Sequence, residues 1–296
     1  MFEYHPGLGT ISVMNNLKTV GLLAFMTTLL WLVAVALFPD GGFVIGLVIA
    51  VGFNFFAYFF SDKLALAASR ARPVTEEELP QVYAIVRRLA LQTKMPEPRI
   101  FQIDSPQPNA FATGRSPKKA AVAVTTGILQ VLTVDELEGV LAHELSHVRN
   151  RDILISSIAA MIAAALTMLA RMAFWFGGGG NNRENPLGAI GAILSLIVAP
   201  IAAMLIRLAI SRTREFQADA TGAEITGRPM VLASALEKIS AGTARIPMSV
   251  NPATAQLFID NPMKAIRGAG MMRMLSTHPP TEERIDRLTR MAQGIR

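Results

Sequence analysis

His143-Glu144-Leu145-Ser146-His147 is the stretch from which the rest of this chain is read. Positions i and i+4 share one face of a helix, so both imidazoles can point at one spot and bind a single metal ion. Glu144 leaves the next position round the helix, where it can act as a base on water without ligating the metal. Thr133-Val134-Asp135-Glu136, just upstream, reads as a capping box that starts this helix. Leu137, Val140 and Leu141 then give it a core-facing stripe.

HExxH on a helix is the spelling used by zinc metalloproteases, with one Zn²⁺ per site. Two histidines are too few: a third protein ligand is required, with the fourth position left open for chemistry. The chain has no Cys, which removes disulfides and thiolate ligands together and leaves only His and carboxylates. The third ligand is either His278 or a carboxylate. Glu215 is the strongest candidate, in Ser211-Arg212-Thr213-Arg214-Glu215-Phe216-Gln217-Ala218-Asp219. Glu215 and Asp219 are again i and i+4, so Glu215 can ligate while Asp219 accepts a hydrogen bond from a ligand His ring and fixes its tautomer. The competing reading is an exposed acidic pair balanced by Arg212 and Arg214.

Composition places this site at a membrane. Of 296 residues 51% are hydrophobic and only 17% charged, with mean hydropathy +0.39, which is too apolar for an ordinary soluble domain. Residues 19–38 and 41–60 are long enough to span a bilayer and carry no charge. Residues 153–176 and 187–210 each carry one Arg near an end, Arg171 and Arg207, which can snorkel to the interface. The net charge of +6 is read as positive-inside loops and attraction to lipid headgroups, not as nucleic-acid binding. Lys63, Arg70, Arg72, Arg149, Arg151, Arg212 and Arg214 flank the inner ends, so residues 61–152 and 211–296, with both termini, are expected in the cytoplasm. Two crossings between His147 and Glu215 return the chain to the same side, so all three ligands can meet just above the inner surface.

The expected organisation is therefore a transmembrane hairpin over 1–60, a cytoplasmic α+β part over 61–152, a second hairpin over 153–210 and a cytoplasmic helical part over 211–296. Within the α+β part, Thr75-Glu76-Glu77-Glu78 reads as a capping box for a helix carrying Leu79, Val82, Val86 and Leu89. Arg99–Ile103 and Ala120–Val124 read as strands separated by a loop rich in Pro, Asn and Gly.

HELSH followed by SRTREFQADA, with PNAFATG upstream and STHPPTEERI near the end, resembles the HtpX family of membrane zinc metalloproteases, in the same superfamily as the CAAX prenyl endoproteases. The four motifs occur in the family's order across nearly the whole chain. The resemblance implies a mainly α membrane protein, about four transmembrane helices with a cytoplasmic α+β zincin-type domain. It implies His143, His147 and Glu215 as zinc ligands and Glu144 as general base. It also implies that Asn109-Ala110-Phe111-Ala112 is where a substrate strand adds to the sheet edge, a mode with little side-chain selectivity. The implied activity is degradation of damaged or misassembled membrane proteins and unfolded polypeptides, in the cytoplasmic membrane of a bacterium or archaeon, as stress-responsive quality control. His278, in Ser276-Thr277-His278-Pro279-Pro280, is expected either to donate to the tetrahedral oxyanion or to belong to a stiff approach to a helix capped by Thr281. A prenyl-CAAX endopeptidase and a non-catalytic adaptor with a structural zinc share the metal motif. A transporter does not suit spans that lack paired polar residues near their middles.

Overall fold

Two apolar helices, α1 (Gly7–Leu37) and α2 (Gly42–Ala68), pack side by side. The structure, a computed structural model, describes residues 7–37, 41–150, 152–159, 162, 212–246, 257–260 and 279–295. Small residues allow the helices to approach closely: a Cβ on Gly46 would stand 2.9 Å from that of Ala34. Phe43, Val44, Leu47, Val48, Val51 and Phe55 face outward uncovered. Among the described residues α2 is the helix long and apolar enough to cross a membrane. It runs on past the expected end at residue 60. Ser61, Asp62, Ala65 and Leu66 are buried, and the Asp62 carboxylate takes Arg99 at 2.7 Å. α2 thus carries the chain from apolar surroundings directly into the folded domain.

The remaining pair of expected spans, 153–176 and 187–210, lies mostly outside the described residues. Residues 152–159 are helical, and Leu154, Ile155, Ile158, Ala159 and Ile162 pack with Leu22 and Met26 of α1.

A four-stranded sheet follows, of order β1 (Arg72–Pro73), β2 (Arg99–Ile103), β4 (Ala121–Thr125), β3 (Ala110–Thr113). β2 and β4 are parallel and the outer pairs antiparallel. β2 occupies the residues expected, and β4 lies one residue later than expected. β3 lies in what was read as a loop. The Pro and Asn residues before it and Gly114 after it only bound a four-residue strand, too short to show alternation. β4 is buried on both faces. Val122 and Val124 join Ala110 and Ala112 on one side; Ala121 and Ala123 join Phe111, Ala65 and Leu66 on the other.

The helix after β1 corrects the first capping box. Glu78 does reach back to the Thr75 amide at 2.9 Å, but it closes a turn, and α3 (Pro80–Thr93) starts later with Pro80 in its first turn. The second box forms as expected. Thr133 and Glu136 bond reciprocally at 2.8 and 3.3 Å ahead of α5 (Val134–Asn150), which follows the short α4 (Thr126–Val131).

α5 is the hub. It is buried from Glu136 to Ser146, with the sheet and α3 to one side and α6 (Arg212–Thr226) and α7 (Pro229–Arg245) to the other. Two of its three buried acids are paired with cations, Glu136 with Lys238 at 2.7 Å and Glu138 with Arg228 at 2.6 Å. The terminal helix α8 (Thr281–Ala292) closes over α6 and α7. Thr281 is not its cap: Pro280 precedes the helix without a side-chain cap bond, and the Thr281 hydroxyl lies 3.4 Å from Ser240.

Candidate active site

α5 presents His143 and His147 on one face, their Nε2 atoms 3.2 Å apart. The first turn of α6 brings Glu215 to the same point, its carboxylate oxygens 3.8 Å from His143 Nε2 and 3.5 Å from His147 Nε2. Ligands about 2.0–2.1 Å from a tetrahedral zinc are separated from one another by roughly 3.3 Å, so this donor set fits that ion. Glu215 and Asp219 are both buried, and so is Arg214, which rules out an exposed, solvated acidic pair. The approach of the two helices depends on Gly222. A Cβ there would stand 2.9 Å from the backbone nitrogen of His143.

Each imidazole is held by a carboxylate behind it. Asp219 accepts from His143 Nδ1 at 2.9 Å, which leaves the Nε2 lone pair on the side of His147 and Glu215. Asp152 does the same for His147 Nδ1 at 3.3 Å. Burial depresses His143 to about 4 even though Asp219 favours its charged form, so it is neutral at pH 7 and suited to ligation. Burial also opposes charging of His147, but Glu215, Asp152 and Glu144 outweigh it and raise the imidazole to about 9. The carboxylates that favour this proton would equally favour a bound cation, which must displace the proton from His147 Nε2 to be ligated.

Arg284 of α8 is fully buried and grips Asp219 with two bonds of 2.8 and 2.6 Å. Burial pushes the Asp219 carboxyl up, but Arg284 and His143 reverse this and hold it down at about 2. The same guanidinium lies 3.4 Å from the His143 ring. Asp152 and Arg284 escaped the sequence reading. Asp152 sits five residues beyond His147, off the i, i+4 step, and Arg284 looks like one of several charges on an amphipathic terminal helix. His278 lies outside the described residues.

Glu144 is buried, and its Oε2 accepts the backbone N–H of Ala112 at 2.9 Å. This bond sets the acid against the outer edge of β3, the strand formed by most of the Asn109–Ala112 segment. Asn109 itself is buried, its side chain bonded to the backbone of Asp260. The arrangement brings a buried carboxylate, three groups that could hold a metal ion and a strand edge together.

The sequence matches Peptidase family M48 over residues 76–292, which contain every one of these groups. The chain belongs to peptidase family M48. It is 50% identical over 285 residues to a protease HtpX homolog of Thermococcus sibiricus, covering 94% of this chain and 97% of that protein. A protease HtpX homolog of Thermodesulfovibrio yellowstonii is 50% identical over 283 residues, covering 95% and 99%. The fold is similar to the crystal structure of S. mikatae Ste24p, with TM-score 0.51 at 20% identity; 94% of this chain spans 66% of that one. The chain is thus a membrane-associated metalloprotease of the M48 family, and among its described residues His143, His147 and Glu215 form a cluster that could hold a metal ion.

Proposed function

We propose that this protein is a zinc endopeptidase of a bacterial or archaeal cytoplasmic membrane that cuts damaged, misassembled or unfolded polypeptides as a stress-responsive quality-control enzyme. One observation carries the reading: three donors spaced for zinc stand beside a carboxylate that is itself bonded to a strand edge. His143, His147 and Glu215 are assigned as the ligands. Zinc, when bound, supplies Lewis-acid polarisation of a carbonyl and acidification of water. Glu144 accepts the proton of the attacking water and delivers it to the departing amine. Asp219 and Asp152 keep both imidazoles in the tautomer that leaves Nε2 free. Arg284 keeps Asp219 ionised in a buried place where it would otherwise protonate. The substrate strand is assigned to the outer edge of β3, Asn109–Ala112, where main-chain bonds give affinity with little sequence preference. His278 is assigned to the oxyanion.

The layout that suits this chemistry is the one read from the sequence: hairpins over 1–60 and 153–210, with the catalytic parts, 61–152 and 211–296, and both termini in the cytoplasm. The uncovered apolar face of α2 and its direct continuation into the domain support a site close to the inner bilayer surface. The test is casein cleavage by the purified protein in detergent. Chelator should abolish cleavage and added zinc should restore it, whereas chelator-insensitive cleavage would sink the assignment.

A further inference from the structure

The outer edge of β3 is not bare. Residues 257–260 lie along it: the Ile259 N–H donates to the Ala110 carbonyl at 2.9 Å, and the Asn109 side chain pairs with Asp260, donating to its carbonyl at 2.9 Å and accepting its N–H at 3.3 Å. Ile259 faces Ala110 and Asp260 faces Asn109, so the segment runs antiparallel to β3. The segment is a turn with successive bends, and its side chains pack inward on both sides of β3. Phe258 turns to the face of Phe111, ring centroids 5.1 Å apart, and Ile259 turns to the core on the α5 side. Both are fully buried. The Ile259 carbonyl in turn accepts from Arg284 at 3.3 Å, the guanidinium that also lies beside His143. The backbone of a single residue, Ile259, therefore bridges the β3 edge and the Arg284 that lies beside His143. The next ladder position, the Ala112 N–H, is taken by Glu144.

We infer that Leu257–Asp260 is a built-in occupant of the substrate groove, a stretch of the chain's own backbone that makes the strand-edge bonds a substrate would make and must leave before a polypeptide can bind. This rests on the endopeptidase reading and on the assignment of the β3 edge to substrate. It adds that the enzyme is latent while the segment is seated. It also defines the ligand chemistry that displaces it: an extended, unfolded segment carrying a large apolar side chain to fill the place of Phe258, against Phe111, Ile103, Ala121 and Ala123. Folded proteins offer no such free strand, so the occupant restricts cleavage to unfolded ones. Phe111 and Phe258 are in direct contact, ring centroids 5.1 Å apart, which makes these two positions the place for a disulfide lock.

The chain has no cysteine, so the pair Phe111→Cys and Phe258→Cys can be locked and released without competing thiols. With zinc content equal in both states, the oxidised protein should cleave casein at least tenfold more slowly than the reduced one. Equal rates would overturn the inference, because a seated segment would then not stand in the substrate's way. Should the reduced pair itself be inactive, Phe258→Ala alone decides. It loosens the segment without touching a metal donor, and it should raise kcat/KM on an unfolded substrate at least threefold through a lower KM. An unchanged or reduced kcat/KM in zinc-loaded Phe258→Ala would overturn the inference. Failure of the unmodified zinc-loaded protein to cleave casein at all would instead defeat the endopeptidase reading.

Discussion

At the residue scale the proposed roles separate metal holding from proton handling. Glu144 is adjacent to His143 in sequence, and its carboxylate accepts the Ala112 N–H at the β3 edge. Glu144→Gln preserves size and helix propensity and removes only the base, so cleavage should fall roughly 10²- to 10⁴-fold. Zinc measured by atomic absorption should stay at the level of the unmodified protein; loss of the metal would reassign Glu144 to ligation. Glu215 and His278 make the complementary pair. Glu215→Ala should weaken zinc affinity, with activity partly recovered at high zinc, while His278→Ala should lower turnover and leave the metal content alone. The opposite pattern would make His278 the third ligand.

At the element scale the site is a crossing of α5 and α6, and the close approach of the two helices depends on the missing side chain of Gly222. Gly222→Ala would ordinarily favour a helix by up to about 1 kcal/mol. Here its Cβ meets the backbone of Ala142 and His143 at 2.9–3.2 Å, and backbone cannot rotate away. Overpacking of this kind costs about 1–3 kcal/mol, so the clash wins and the helices separate. Zinc affinity, measured by competition with a chelator, should drop about tenfold; a more stable variant with unchanged affinity would refute this. The start of α5 has its own signature. Burial pushes the Glu136 carboxyl up, but Lys238, Ser234 and Thr133 hold it at about 2, against an ordinary 4.5. A depressed carboxyl stabilises the fold in full above its unfolded value and loses that contribution as pH falls toward its folded one. Between pH 5 and pH 2, the unmodified protein should lose about 1–2 kcal/mol of stability that Glu136→Gln does not lose. Parallel acid unfolding of the two proteins would show that the pairing contributes nothing.

At the scale of the whole molecule, the two halves of the metal site must share a compartment, so an even number of crossings separates His147 from Glu215. Zero or two crossings satisfy this, and the length and composition of 153–176 and 187–210 lead us to propose two, with residues 177–186 outside and HELSH and Glu215 inside. Asn182→Cys in this chain, which has no other cysteine, should react with an impermeant maleimide added to intact cells, and Gln217→Cys should not. Protection of both positions would leave a single hairpin and move the whole second half of the chain into the cytoplasm.

What the sequence by itself determined is whatever local periodicity encodes. The i, i+4 step put His143 and His147 on one face and Glu215 and Asp219 on another, the Thr133–Glu136 box started α5, and Arg99–Ile103 stood out as a strand. These follow from backbone geometry within a few residues, so no partner is needed to read them. Only the tertiary structure decided that β3 lies in an apparent loop, that Asp152 backs His147, and that Arg284 reaches Asp219 across 65 residues. It also decided that residues 257–260 lie on the strand edge beside Glu144. Each of these is a pairing between distant segments whose own sequences carry no period or cap pointing to the partner, and contacts of that kind are fixed by packing alone.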